Sequence, residues 1–134
     1  MTRREAREII FSLVYEADFH RDGSFAVIYN EAIDDRAFEE NDYVRSVFFG
    51  MEEHLSELDE LISAHAVGWK SERLSKVSRA IMRLCIYEML YSDDVPASVA
   101  SNEALEIAKI YDHDKAPSFI NGVVNAVAKA KGLL

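Results

Sequence analysis

Apolar residues recur at helical spacing along most of this 134-residue chain. In the opening segment they stand three or four positions apart, which is the period of an amphipathic helix. These positions are Ala6, Ile9, Ile10, Leu13, Val14 and Ala17. We expect this first helix to end near Phe19, before the turn signal Asp22-Gly23.

Three further helices are predicted before the middle of the chain. Ser24 is suited to cap a second helix that runs to Ile33. The apolar stripe of a third helix extends from Val44 to Leu55. Ser56 and Asp59 have the spacing of a capping box, which predicts the start of a fourth helix.

The second half of the chain predicts three more helices. Gly68-Trp69 interrupts the pattern, and the run from Ser75 to Tyr91 is apolar on most faces, so its helix should lie centrally among the others. Pro96 and Pro117 open a sixth and a seventh helix, and Gly132 closes the last. No alternating run indicates a strand, so we predict an all-α fold of about seven helices.

Three arginines cluster near the start of a chain whose formal net charge is −9. On a helix drawn at 100° per residue, a basic and aromatic stripe covers an arc of about 80° beside the apolar positions. Its members are Arg4, Arg7, Phe11 and Tyr15. Guanidinium groups suit phosphate oxygens and exposed rings suit unstacked bases, so this stripe is typical of surfaces for single-stranded RNA. A second interpretation stays open, in which the stripe has no ligand. Phe11 borders the core face and could pack there, and surface arginines are common near a terminus.

Acidic residues are densest between positions 34 and 60, which hold ten carboxylates and two arginines. Most of these acids fall on the polar sides of the predicted helices, as on an ordinary solvated face. The alternative is a surface that receives a basic partner, since such a field raises association rates.

The residues that catalysis or metal binding would need are scattered. No two of the four histidines stand four positions apart, Cys85 is the single cysteine and lies in an apolar run, and no glycine-rich loop precedes a helix. We therefore expect no catalytic site, no metal and no cofactor. No stretch of about 18 uncharged apolar residues occurs and the N-terminus is charged, so we expect a cytoplasmic protein with no membrane contact.

A series of landmarks in the second half of the chain resembles a known family. They are Trp69, Arg73-Leu74, Arg79-Ala80-Ile81, Arg83-Leu84, Tyr87-Glu88, Pro96, Val99, Asn102-Glu103-Ala104, Glu106, Ala108-Lys109 and Phe119-Ile120-Asn121-Gly122-Val123. This pattern is similar to the C-terminal half of the NusB family of bacterial transcription antitermination factors. Ala6-Arg7-Glu8 and Tyr15 also fit the first helix of that family, and the resemblance is weakest between Asp22 and Ala66.

Two positions depart from the family pattern. Ser78 stands where the family usually has aspartate before the arginine of its fifth helix, and Ser101 replaces the usual apolar residue before Asn102-Glu103. The first departure affects a polar contact of the partner surface or the start of the helix. The second affects packing.

The resemblance implies one non-enzymatic domain built of two small helical bundles, an N-terminal one over about 1–66 and a C-terminal one over about 67–134. It implies binding of boxA-type single-stranded RNA on nascent ribosomal transcripts, together with the ribosomal small-subunit protein NusE, in the transcription elongation complex. The RNA-facing positions that it implies are Arg3, Arg4, Arg7, Tyr15, Lys115, Phe119 and Asn121. Around the start of the fifth helix it implies the partner-facing residues Ser78 and Arg79.

Two other functions stay open at this level. One is a relative of the RNA-binding domain of ribosomal RNA cytosine methyltransferases. Because the chain ends at Leu134 without cofactor-binding strands, we expect that methyltransferase activity would need a missing catalytic half. The other is a non-catalytic homodimer that covers the RNA surface. At the level of residues, Phe119 could belong to the core, Asn121 could cap a helix, and Arg83 could pair with Glu88.

Overall fold

The computed structural model describes residues 1–20, 24–66 and 74–134. Over these ranges it contains seven α-helices and no strand, which confirms the all-α prediction. The helices are α1 (Arg3–Ala17), α2 (Phe25–Asp34), α3 (Asp42–Glu53), α4 (Leu55–His65), α5 (Lys76–Tyr91), α6 (Ala97–Tyr111) and α7 (Ala116–Ala130). The predicted breaks at Asp22-Gly23 and Gly68-Trp69 lie outside the described residues.

The chain divides into two compact units, Met1–Glu53 and His54–Leu134. In the first unit α1 packs against α2 and α3, and α2 also contacts α3. In the second unit α5 contacts α4, α6 and α7, and α7 also packs against α4 and α6. The boundary lies earlier than the one expected near residue 66, because α4 packs against α5 and α7.

Each unit contains a set of buried apolar side chains. In the first unit the rings of Phe25 and Phe48 stack with their centres 4.5 Å apart, and the buried Tyr29 lies 5.2 Å from the ring of Phe49. In the second unit α5 buries ten of its sixteen residues, among them Ile81. This confirms the central position predicted for that helix.

Short polar motifs define several helix ends. The Thr2 hydroxyl accepts from the Glu5 N–H at 3.0 Å and the Glu5 carboxylate accepts from the Thr2 N–H at 3.1 Å, so the two residues form a capping box at the start of α1. The hydrogen bond from the Thr2 backbone lowers the pKa of Glu5. The side chain of Ser75 accepts from the Ser78 N–H at 3.0 Å, and Gly132 follows α7 with a φ of 71°, as its role in closing that helix requires.

Two predicted caps differ from the structure. Ser24 precedes α2 as predicted but makes no side-chain capping bond, and the N–H of Phe25 donates to the Glu52 carboxylate at 3.2 Å. The capping box at Ser56 and Asp59 is wrong, because α4 already begins at Leu55 and both residues lie within it.

An ion pair between helices uses the carboxylate that the wrong capping box had assigned to a helix start. The Arg83 guanidinium of α5 donates from Nε to Asp59 Oδ1 at 2.7 Å and from Nη2 to Asp59 Oδ2 at 2.9 Å. Two parallel bonds of this kind are the strongest geometry available to an arginine and a carboxylate. They fix α4 on α5 inside the second unit.

Candidate nucleic-acid interface

The three N-terminal arginines of α1 lie in different environments. Arg3 and Arg4 are exposed in the first turn, and the Arg3 guanidinium carbon lies 3.6 Å from the ring centre of Tyr43 on α3, which is a cation–π contact. Arg7, one turn later, is only 5% exposed. The sequence analysis placed Arg7 beside the apolar positions, whereas in the structure its side chain is buried with them. On the helical wheel Arg7 lies about 20° from the buried Val14, so its long stem packs at the edge of the core.

An aromatic row continues along α1 from the core to the solvent. Phe11 is buried and stacks on the half-buried Tyr15 at 6.2 Å between ring centres. Tyr15 in turn meets the edge of Phe19 at 5.0 Å, and Phe19 is 56% exposed. An exposed ring next to a half-buried one offers a stacking surface to an unpaired base.

Phe19 belongs to this aromatic row, and the sequence analysis did not include it among the candidate RNA residues. It was used there only to mark the end of the first helix. The signal that could have found it is its position four residues after Tyr15 and eight after Phe11, which puts all three rings on one side of the helix.

In the second unit, the candidate RNA residues lie around the start of α7. Lys115 is exposed directly before this helix, and Phe119 is half-buried one turn later on the same side. Asn121 is exposed about 160° away from Phe119 around the helix axis, and its amide oxygen accepts from the side chain of Asn125 at 3.2 Å. The helix therefore brings Lys115 and Phe119 together and directs Asn121 to another side.

The two predicted partner residues at the start of α5 differ in how far they are exposed to solvent. Ser78 is 3% exposed, and its hydroxyl donates to the carboxylate of Asp112 at the end of α6. Arg79 is half-buried and lines a cavity of about 150 Å³ with Asp59 and Leu74. In this structure Ser78 joins two helix ends, so the accessible part of the predicted partner surface is Arg79.

The described residues contain neither a cluster of metal ligands nor a helix that could span a membrane. In these parts of the chain, no three side chains of His, Cys, Asp or Glu gather closely enough to hold a metal ion. Nor does any helix there have the length and apolar character needed to cross a membrane. Cys85, the cysteine noted in the sequence, is buried in α5.

Comparison with known proteins identifies the family. The sequence pattern of the NusB family matches residues 4–129. The chain belongs to the NusB family. It is 42% identical over 129 residues to the transcription antitermination protein NusB of Bacillus subtilis strain 168, with 95% of each chain covered. It is 41% identical over 128 residues to the protein of that name from Bacillus pumilus, again with 95% of each chain covered.

Solved structures confirm the NusB fold. The chain matches T. maritima NusB with a TM-score of 0.87 and 34% identity, over 96% of this chain and 92% of that chain. It also matches a structure of the antitermination factors NusB and NusE in complex with dsRNA, with a TM-score of 0.83, 25% identity and 96% of both chains covered. The family match over residues 4–129 includes α1 from its second residue onward and the start of α7.

Proposed function

We propose that this NusB-family chain is a transcription antitermination factor that binds boxA-type single-stranded RNA on nascent transcripts together with NusE. The observation that carries the proposal is the surface of α1, which joins exposed arginines to an aromatic row ending in an exposed ring. The names of the relatives support the antitermination role, and the structure of NusB and NusE with dsRNA supports binding of RNA and of NusE. In this proposal the chain acts in the cytoplasm on the transcription elongation complex and has no catalytic role or cofactor.

On α1 we assign RNA phosphates to the arginines of the first turn. The Tyr43 ring lies against the Arg3 guanidinium, and the planar fork of N–H donors in a guanidinium matches the geometry of phosphate oxygens. Arg4 is exposed beside it, at the helix end where the backbone dipole favours anions. Arg7 is buried, and we assign it to shaping this surface.

Tyr15 and Phe19 would supply the stacking surface for bases. Tyr15 is held between two other rings, so little side-chain entropy is lost when a base stacks on this row. On α7, Lys115 and Phe119 repeat the combination of a cation and a partly exposed ring. Asn121 offers amide hydrogen bonds that could read a base edge or a sugar.

The charge of the chain supports a basic partner. The net charge of −9 opposes the approach of RNA, which is itself a polyanion, so unaided RNA binding should be weak. A basic protein such as the ribosomal protein NusE would neutralise part of this field when bound. Arg79 and the cavity that it lines are the accessible part of the surface that we assign to this partner.

The proposal predicts a specific change in the salt dependence of RNA binding. Replacing Arg3 and Arg4 together with alanine removes two phosphate contacts, so the slope of log affinity against log salt should fall by roughly 1.4, at about 0.7 per phosphate. Affinity should fall alike for every RNA sequence, because phosphate contacts carry no base information. The measurement is RNA titration at several salt concentrations, with NusE present, for wild type and variant.

Two controls make this experiment specific. Lys129 and Lys131, exposed at the far end of α7, give an alanine pair with the same change in net charge, and their variant should keep the wild-type slope. Tyr15→Ala should keep the slope but lose roughly 1–3 kcal/mol of binding free energy, because it removes stacking and no charge. An unchanged slope in the arginine variant, with helicity intact, would place the RNA site elsewhere.

A further inference from the structure

A second aromatic and charged cluster lies between the start of α4 and the end of α5, within the second unit. We call it the tyrosine–carboxylate patch; its members are His54, Glu57, Tyr87 and Tyr91. The His54 ring stacks on Tyr91 at 4.1 Å between centres, and Tyr87 lies 5.2 Å from Tyr91. The Tyr91 hydroxyl donates to the Glu57 carboxylate, and His54 Nδ1 lies 3.7 Å from Glu57 Oε1.

The patch lies on the same pair of helices as the Arg83–Asp59 ion pair. At that ion pair the chain supplies both the guanidinium and the carboxylate. At the patch it supplies a carboxylate, an imidazole and two tyrosine rings. Within the ranges that the structure describes, Glu57 makes no ion pair with a lysine or arginine, and its side-chain partners are the His54 imidazole and the Tyr91 hydroxyl.

The patch is accessible and its neighbourhood is acidic. Tyr91 is exposed, and the side chains of His54 and Glu57 are each more than one-third exposed. Asp93 and Asp94 are exposed directly after the end of α5. A carboxylate offers about four acceptor positions, and the Tyr91 hydroxyl uses one of them, so Glu57 can still accept from a further donor.

We infer that the tyrosine–carboxylate patch is a docking site for an arginine side chain of a basic protein partner. The guanidinium would donate to Glu57 and lie against the tyrosine rings, which combines an ion pair with a cation–π contact. The planar guanidinium stacks on rings and is less strongly hydrated than an ammonium, so arginine is favoured over lysine. None of its members is among the residues assigned to RNA on α1 and α7, and the inference does not depend on those residues.

The protonated hydroxyl of Tyr91 suits this role. The hydrogen bond to Glu57 raises the pKa of Tyr91 to about 12. The hydroxyl therefore stays protonated at neutral pH and continues to donate to the carboxylate. It keeps Glu57 oriented beside the rings.

The test is an NMR titration of the full chain with two capped peptides, Gly-Arg-Gly-Arg-Gly and its lysine counterpart. The arginine peptide should shift the ring resonances of His54 and Tyr91 and bind at least about threefold more tightly than the lysine peptide. Glu57→Gln should weaken binding of the arginine peptide at least about fivefold. Tyr91→Leu should reduce the preference for arginine over lysine to less than about twofold.

Glu60→Gln is the matched control. Glu60 is exposed on α4, and within the described parts of the chain its side chain makes no hydrogen bond or ion pair. The substitution makes the same charge change as Glu57→Gln and should alter binding less than about twofold. Equal losses in the two variants, equal binding of the two peptides, or shifts that bypass His54 and Tyr91 would each overturn the inference. Thermal unfolding of each variant serves to check that the substituted chain is still folded.

Discussion

Replacing Ile81 with alanine should lower the free energy of unfolding by about 2–5 kcal/mol. Ile81 is fully buried in α5, the helix that contacts every other helix of the second unit. The substitution removes three carbon atoms from a packed interior and leaves a cavity that the surrounding helices fill only in part. Chemical denaturation followed by far-ultraviolet circular dichroism measures the change.

Ile110→Ala is the matched control for this prediction. Ile110 lies on α6 in the same unit and is 63% exposed, so the same atoms are removed from the surface. The expected loss is within about 0.5 kcal/mol of zero. Similar losses for the two variants, or a loss at Ile81 below about 1 kcal/mol, would contradict the packing described for α5.

Replacing Asp59 with alanine should cost about 2–3 kcal/mol of unfolding free energy. The substitution removes both oxygens that accept from Arg83, whose side chain is only 7% exposed. Removing one partner of a buried pair costs about 3–5 kcal/mol when the remaining charge has no other partner. Arg83 makes at least one further interaction. We expect a smaller value since the Asp59 side chain is 43% exposed and water can reach its place.

An exposed ion pair in the first unit provides the comparison. Arg45 and Glu40 are joined at 2.6 Å with both side chains more than half exposed. Glu40→Ala should therefore cost less than about 1 kcal/mol. If Asp59→Ala costs no more than Glu40→Ala, the bidentate pair does not hold α4 on α5 as proposed.

The helices themselves were predictable from local signals. Hydrophobic period located α1 and α5, and Pro117 and Gly132 marked the two ends of α7. The capping box at Ser56 failed because an identical short pattern occurs inside a helix. Its aspartate has a partner 24 residues away, which no local pattern contains.

The candidate site was predictable in outline. The helical wheel placed Arg4, Arg7, Phe11 and Tyr15 on one side of α1, but it could not decide which border residue packs inward. Arg7 is buried while Arg4 is exposed, because the neighbouring helices decide how much of each border side chain they cover. The contact of Arg3 with Tyr43 and the hydroxyl bond from Ser78 to Asp112 join separate helices, so they required the structure.

The central claim is that RNA and a basic ribosomal partner bind this chain together. The most direct measurement is calorimetric titration of NusE into the chain, once alone and once saturated with boxA-type RNA. NusE should bind at least about fivefold more tightly to the RNA complex, and by linkage RNA affinity should rise by the same factor when NusE is bound. Equal NusE affinities with and without RNA would contradict the account.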